Sequence, residues 1–244
     1  MPLPTSTSAT VIPSNTIADP LAKVTARIQH GAELAERDSK TVRLIAVSKT
    51  QPPEAVAQAY ACGQRDFGEN YLQEALEKQA ALTDLNEIVW HFIGPIQSNK
   101  TRLIAENFAW IHSIDREKVA QRLNDQRPAD LAPLQVCLQV NIDDETTKSG
   151  ISLAELPALA QAINQLPRLQ LRGLMAIPAA TNNADQQRSA FAKLRQAMQS
   201  LQAQGFALDT LSMGMSGDME AAIAEGATMV RVGTDIFGAR AKAQ

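Results

Sequence analysis

The chain has 244 residues, 45% of them hydrophobic and 20% charged, with a formal net charge of -3 and a pI near 5.7. That much apolar sequence can bury one large α/β domain or two small ones. No basic block or arginine–aromatic interleaving points to nucleic acid, and no stretch approaches the length of a membrane span, so neither partner is expected.

The N-terminus, MPLPTSTSATVIPSN, lacks the basic-then-apolar order of a secretion signal. Residues 1–16 read as a variable tail, residues 17–240 as one domain, and the protein as cytoplasmic. Residues 17–36 place Ile17, Leu21, Val24, Ile28 and Leu34 at roughly helical spacing, for a helix closing over one end or side of the domain. Leu44-Ile45-Ala46-Val47 then forms the heart of a strand at 43–48, apolar enough to be buried on both faces. Ser48-Lys49 ends it in polar groups, and Gln51-Pro52-Pro53 stops the strand and starts a helix at 53–62, closed by Gly63.

Asp66–Asn70 makes a brief second strand before a helix at 71–82, and Ile88–Gly94 a third, broken by Gly94-Pro95. A helix at 97–107 leads to a fourth strand, Trp110–Ile114, and Asp115 is the expected N-cap of a helix at 116–126. Leu134–Asn141 is the fifth strand, running into the polar loop Asp143–Gly150. A helix at 153–165, a strand at 169–177, a long amphipathic helix at 185–204, a strand at 208–213, a helix at 216–225 and a strand at 229–233 complete the series, with Gly238 ending a final turn. Eight apolar strands, each followed by a helical stretch, with no linker between them, predict a closed parallel (β/α)8 barrel. Cys62 and Cys137 lie far apart and are each expected to be buried free thiols.

In such a barrel, chemistry collects where strands end. Strand order assigns Lys49, Asn70, His91, Ser113, Asn141, Met175, Ser212 and Thr234 to one rim. The loop Ser212-Met213-Gly214-Met215-Ser216-Gly217-Asp218 and the turn Arg231-Val232-Gly233-Thr234 add hydroxyls and glycines after strands seven and eight, where barrels often bind phosphate. The plain alternatives are a lysine extending to solvent from a strand end, two tight turns that need glycine, and Ser216 as an ordinary N-cap. A nucleophilic lysine facing a phosphate site suits either a phosphosugar Schiff-base enzyme or pyridoxal phosphate held on the lysine. The three histidines, His30 (expected to face solvent), His91 and His112, lack metal-ligand spacing, and Asp143-Asp144-Glu145 lacks that of an EF-hand, so no metal is expected. Met175, Met213 and Met215 suit packing as well as a planar ligand.

AVSKT at 46–50, FGENYLQE at 67–74, WHFIGPIQSNK at 90–100, the VNI…KSG stretch at 140–150 and SMGMSGDMEAAIAEGATMVRVGTDIFG at 212–238 together resemble the YggS/PROSC family of pyridoxal phosphate homeostasis proteins. The resemblance runs from about Arg43 to Gly238. It implies the barrel of the alanine-racemase N-terminal-domain type, fold type III among pyridoxal phosphate proteins. It also implies that Lys49 forms a Schiff base with the cofactor aldehyde. Ser216, Gly217, Gly233 and Thr234 would hold the phosphate, with Ser212 and Met213 beside them. Arg231 or a neighbour would approach the pyridine nitrogen, and a cationic arginine there would keep that nitrogen unprotonated. Asn70, His91, Asn141 and Met175 would line the pocket.

Racemases of this fold carry a second, β-rich domain that supplies a tyrosine base, whereas this sequence runs to Gln244 directly after the barrel and holds its two tyrosines, Tyr60 and Tyr71, in the early helices. The resemblance therefore implies a monomeric, non-catalytic carrier that takes part in vitamin B6 homeostasis and makes transient contact with pyridoxal-phosphate-dependent client enzymes. A racemase-like enzyme is the alternative, and a phosphosugar lyase or aldolase is a third possibility.

Overall fold

Eight parallel strands close into a barrel in chain order: β1 (Arg43–Val47), β2 (Asp66–Glu69), β3 (Val89–Phe92), β4 (Trp110–Ile114), β5 (Leu134–Gln139), β6 (Leu169–Met175), β7 (Thr210–Ser212) and β8 (Met229–Val232). The last strand returns to the first, with Arg43 opposite Met229 and Ile45 opposite Arg231. This is a computed structural model that describes residues 17–143 and 149–238. The expected tail at 1–16, residues 144–148 of the polar loop and the end of the chain after Gly238 lie outside the described residues.

The helices are α1 (Ala18–Leu34), α2 (Pro53–Ala61), α3 (Leu72–Ala81), α4 (Thr101–Asn107), α5 (Glu117–Gln126), α6 (Leu156–Asn164), α7 (Ala184–Ala203), α8 (Met219–Ala224) and α9 (Thr234–Phe237). Helix α1 buries Leu21, Val24 and Ile28 and packs beside α8 and α9, on the side of the barrel where it closes. Three helices, α4, α6 and α8, begin three or four residues later than their sequence patterns predict. Thr101 Oγ1 donates to the Ser98 carbonyl (3.0 Å), so the polar residues before α4 form a separate turn. Pro157 sits in the first turn of α6, where its missing N–H costs nothing. The Asp218 carboxylate accepts the Met215 N–H (2.6 Å), which keeps 216–218 out of α8. Asp115 is not the N-cap of α5. The extended Arg116 takes that position without a side-chain cap, and Asp115 pairs with its guanidinium at 3.4 Å.

The strand pleat divides the core into two shells. Outward-facing residues, among them Phe67, Ile111, Leu138 and Leu174, meet the helices in a continuous apolar layer. Inside the barrel, Ile45, Trp110, Cys137, Met175 and Met229 form a small separate cluster. Burial among these residues pushes the Cys137 thiol up to about 12, leaving it an inert apolar group. Cys62 is exposed instead of buried, because it caps the outer end of α2 just before Gly63.

Candidate functional site

A cavity of about 280 Å³ opens where β1, β7 and β8 end. Lys49 follows β1 and Arg231 lies in β8, and both line it, together with Asn70, Ser216, Gly217, Gly233 and Thr234. The apolar remainder of the wall is Val47, Ile93, Ile177 and Met215. Seven of the twelve candidate site residues thus meet at one cavity. Of the apolar liners, Met215 was among the methionines that suit a planar ligand, whereas Val47, Ile93 and Ile177 had no sequence signal beyond adjacency to polar strand ends.

The turn after β7 uses up its own outer amides. Met215 N–H goes to the Asp218 carboxylate (2.6 Å) and Asp218 N–H to the Met215 carbonyl (3.2 Å). The amides of Ser216, Gly217 and Thr234 have no protein acceptor among the described residues. Backbone N–H groups seek an acceptor, so this edge of the cavity suits an oxyanion. Gly214, at φ +95°, lets the turn fold tightly: a Cβ there would stand 2.6 Å from that of Ala222. Beneath the turns, Arg27 of α1 ties them together. Its guanidinium donates to the Ser216 carbonyl (2.8 Å), to both Glu220 oxygens (2.8 and 3.0 Å) and to Asp235 beside Thr234 (2.7 Å). Nothing in the local sequence marks Arg27, because its partners lie about 190 to 208 positions away.

On the opposite side of the cavity, Asn70 is held by a close approach of chain segments. A Cβ at Gly94 would lie 2.2 Å from the Asn70 carbonyl oxygen. The Asn70 side-chain oxygen is buried and lacks a hydrogen-bond partner among the described residues. A lone buried acceptor in a cavity wall invites a ligand donor or a water.

Arg231 is 4% exposed, and burial lowers its pKa to about 10, which still leaves it cationic at neutral pH. It donates through Nη2 to the Ala176 carbonyl (3.0 Å) and through Nη1 to Ser212 Oγ (2.7 Å). From Ser212 a polar file runs down the barrel interior. Ser212 Oγ lies 2.7 Å from His112 Nδ1, His112 Nε2 lies 2.9 Å from His91 Nδ1, and His91 Nε2 lies 2.9 Å from Asp66 Oδ1. Asp66 meets Arg43 (3.4 Å) at the far end. Burial lowers the pKa of His91, partly countered by Asp66, and drives that of His112 well below its ordinary value, helped by the nearby charge of Arg231, so both imidazoles are neutral at pH 7 and carry one N–H each. The Asp66 carboxylate accepts, so His91 donates to it from Nε2 and accepts at Nδ1 from His112 Nε2; His112 Nδ1 then accepts from Ser212, whose oxygen accepts from Arg231.

Five candidate residues do not line the cavity. His91 and Ser212 belong to this interior file, both fully buried, one level below the rim. Met175 fills the interior cluster. Met213 follows an inward-facing residue, so the pleat turns it out into the helix layer. Asn141 is half-buried beyond β5, its N–H donating to the Ile151 carbonyl (2.9 Å). Ser113 is buried and does not line the cavity either, donating to the Gly94 carbonyl (2.5 Å). Of the other sequence candidates, His30 is exposed on α1, as expected. No group of three or more His, Cys, Asp or Glu side chains suited to a metal ion occurs among the described residues. No described helix is long and apolar enough to cross a membrane.

Residues 21–241 match the family described as alanine racemase, N-terminal domain. The chain is 62% identical over 226 residues to the pyridoxal phosphate homeostasis protein of Pseudomonas aeruginosa, covering 93% of this chain and 96% of that relative. The chain belongs to the family of pyridoxal phosphate homeostasis proteins. A solved member of this family's fold, PipY of Synechococcus elongatus with pyridoxal phosphate bound, is 41% identical and superimposes with a TM-score of 0.81, covering 91% of this chain and all of that one. Alanine racemase from Corynebacterium glutamicum is 19% identical with a TM-score of 0.67, which shows shared fold alone; the homeostasis-type barrel spans 63% of that longer chain.

Proposed function

We propose that this protein binds pyridoxal 5'-phosphate covalently on Lys49 and serves as a carrier in vitamin B6 homeostasis, without turnover of its own. The observation that carries this reading is the convergence on one cavity of an amine, a buried guanidinium and an edge of unclaimed amides. When bound, the cofactor supplies an aldehyde able to condense with an amine. The residues fit it. Lys49 provides the amine. Ser216, Gly217, Gly233 and Thr234 suit the phosphate. Gly217 has open space around its missing Cβ and a φ outside the left-handed region, so neither packing nor backbone requires glycine there, and the space is open to close approach of a ligand. Arg231, fixed by Ser212 and Ala176, is the cation available to the ring nitrogen, and Asn70 offers an acceptor to a ring substituent.

Among the eleven residues lining the cavity, the ionisable side chains are Lys49 and Arg231. A racemase needs a second base across the bound ligand. Neither tyrosine supplies one. Tyr60 is engaged with Glu87 and Arg65, and Tyr71 lines a neighbouring cavity of about 350 Å³. A protein that holds its cofactor without consuming it fits a buffer for client enzymes, working as a monomer in the cytoplasm, with residues 17–240 as the single cofactor-binding domain. The test combines cofactor titration with amino-acid turnover. Wild type should gain the visible absorbance of a lysine adduct, Lys49→Ala should not, and neither should racemise L-amino acids above free cofactor. Covalent loading of Lys49→Ala, or turnover by wild type, would overturn the proposal.

A further inference from the structure

A second polar cluster lies behind the barrel wall, between the strands and α3. The pleat places it there: Lys49 and Asn70 turn toward the cavity, so the preceding residues, Ser48 and Glu69, turn toward the helices. Ser48 Oγ donates to Glu69 Oε1 (2.6 Å). Lys78 Nζ of α3 donates to that same oxygen (2.7 Å) and to the Ser48 carbonyl (2.6 Å). Ser48 and Glu69 are fully buried and Lys78 is 4% exposed. One helical turn before Lys78, Glu74 Oε2 accepts the Thr50 N–H (2.8 Å).

These bonds hold both peptide groups that flank Lys49, through the Ser48 carbonyl on one side and the Thr50 N–H on the other. Thr50 adopts φ +64°, a left-handed conformation that a β-branched residue keeps only where its surroundings enforce it. A buried lysine–glutamate pair is a poor route to stability, since apolar side chains of similar volume do as well or better. Its placement around one residue of the cavity wall gives it a different use. We infer that Glu69, Lys78 and Glu74 are positioning residues that clamp the backbone on both sides of Lys49 and so aim its amine into the cavity.

This inference rests on Lys49 being the attachment point for pyridoxal phosphate, and the experiment separates the two. Cofactor-free wild type, Glu74→Leu, Glu74→Gln and the double variant Glu69→Gln/Lys78→Met are mixed with pyridoxal phosphate. The rise of the visible band is followed, and the adduct is trapped with borohydride and located by peptide mass. Glu74→Leu and the double variant should form the Lys49 adduct roughly tenfold more slowly than wild type, the scale expected when a reacting group is left loosely placed. Glu74→Gln should react at the wild-type rate, because its amide oxygen still accepts the Thr50 N–H. Melting temperatures are recorded alongside. If the double variant does not fold, the exposed Glu74 pair decides the matter. Wild-type rates in Glu74→Leu would overturn the clamp alone. Absence of a Lys49 adduct in wild type would overturn both the clamp and the proposed function.

Discussion

Acid should destabilise this protein earlier than its carboxylates alone would dictate, because two imidazoles are locked neutral inside the barrel. His91 and His112 are fully buried, and in both the folded-state pKa lies below the ordinary 6.5. On unfolding each recovers that value, so the unfolded chain binds more protons and stability rises with pH through this window. The stabilisation is complete above about pH 6.5 and is lost as pH falls through that value toward the folded-state values. If neither ring protonated in the folded state, going from about pH 7.5 to about pH 5.5 would cost roughly 1.4 kcal/mol per ring, or about 2.7 kcal/mol for the pair. Asp66 restrains the depression at His91, so the expected loss stays below that bound, equivalent to less than about 5–11 °C in Tm for a domain of this size. Glu69 and Asp218, whose pKa values burial raises, act in the opposite sense as the pH approaches the carboxylate range. Urea unfolding at both pH values, for wild type and for His91→Gln/His112→Gln, isolates the effect. The double variant will be less stable throughout, since it breaks the file from Arg231 to Asp66, but its pH dependence in this window should shrink by most of that amount. Equal pH dependence in the two proteins would refute the neutral-imidazole assignment.

Three further outcomes are expected. Arg27→Ala removes the tie between the two turns; its ion pairs are half-exposed, so global stability should fall by under about 1 kcal/mol while the Kd for pyridoxal phosphate rises several-fold, measured by titration alongside urea unfolding. Gly217→Val should weaken pyridoxal phosphate far more than unphosphorylated pyridoxal, and equal losses for the two would remove Gly217 from the phosphate site. Gly94→Ala drives a methyl group into the Asn70 backbone and should cost about 1–3 kcal/mol in urea unfolding, as overpacking does, with cofactor affinity falling in parallel.

The barrel and its strand order were readable because buried parallel strands leave short apolar runs at regular intervals, each closed by glycine, proline or polar residues. Lys49, Arg231 and the turns at 216–217 and 233–234 were readable for the same reason, since the strand ends mark the rim. Depth inside the barrel was readable only in part. His91 sits inside its apolar run, with Phe92-Ile93 still to come, so its sequence already placed it below the strand end. Ser212 ends β7, yet the register between neighbouring strands sets it a level lower, and register is a property of the closed sheet. Met213 is a different kind of miss. With Ser212 turned inward, the period of two requires its neighbour to turn outward, so the signal was present. The Arg27 tie and the Glu69–Lys78 pair join residues whose spacing matches no local period, and only the packed helices bring them together.

The central claim is that Lys49 carries the cofactor. Borohydride reduction of the protein mixed with pyridoxal phosphate, followed by proteolysis and mass mapping, tests it most directly. The pyridoxyl mass should appear on the peptide containing Lys49 at one equivalent per chain and vanish in Lys49→Ala. A full equivalent on any other lysine, or loading unchanged in Lys49→Ala, would contradict it.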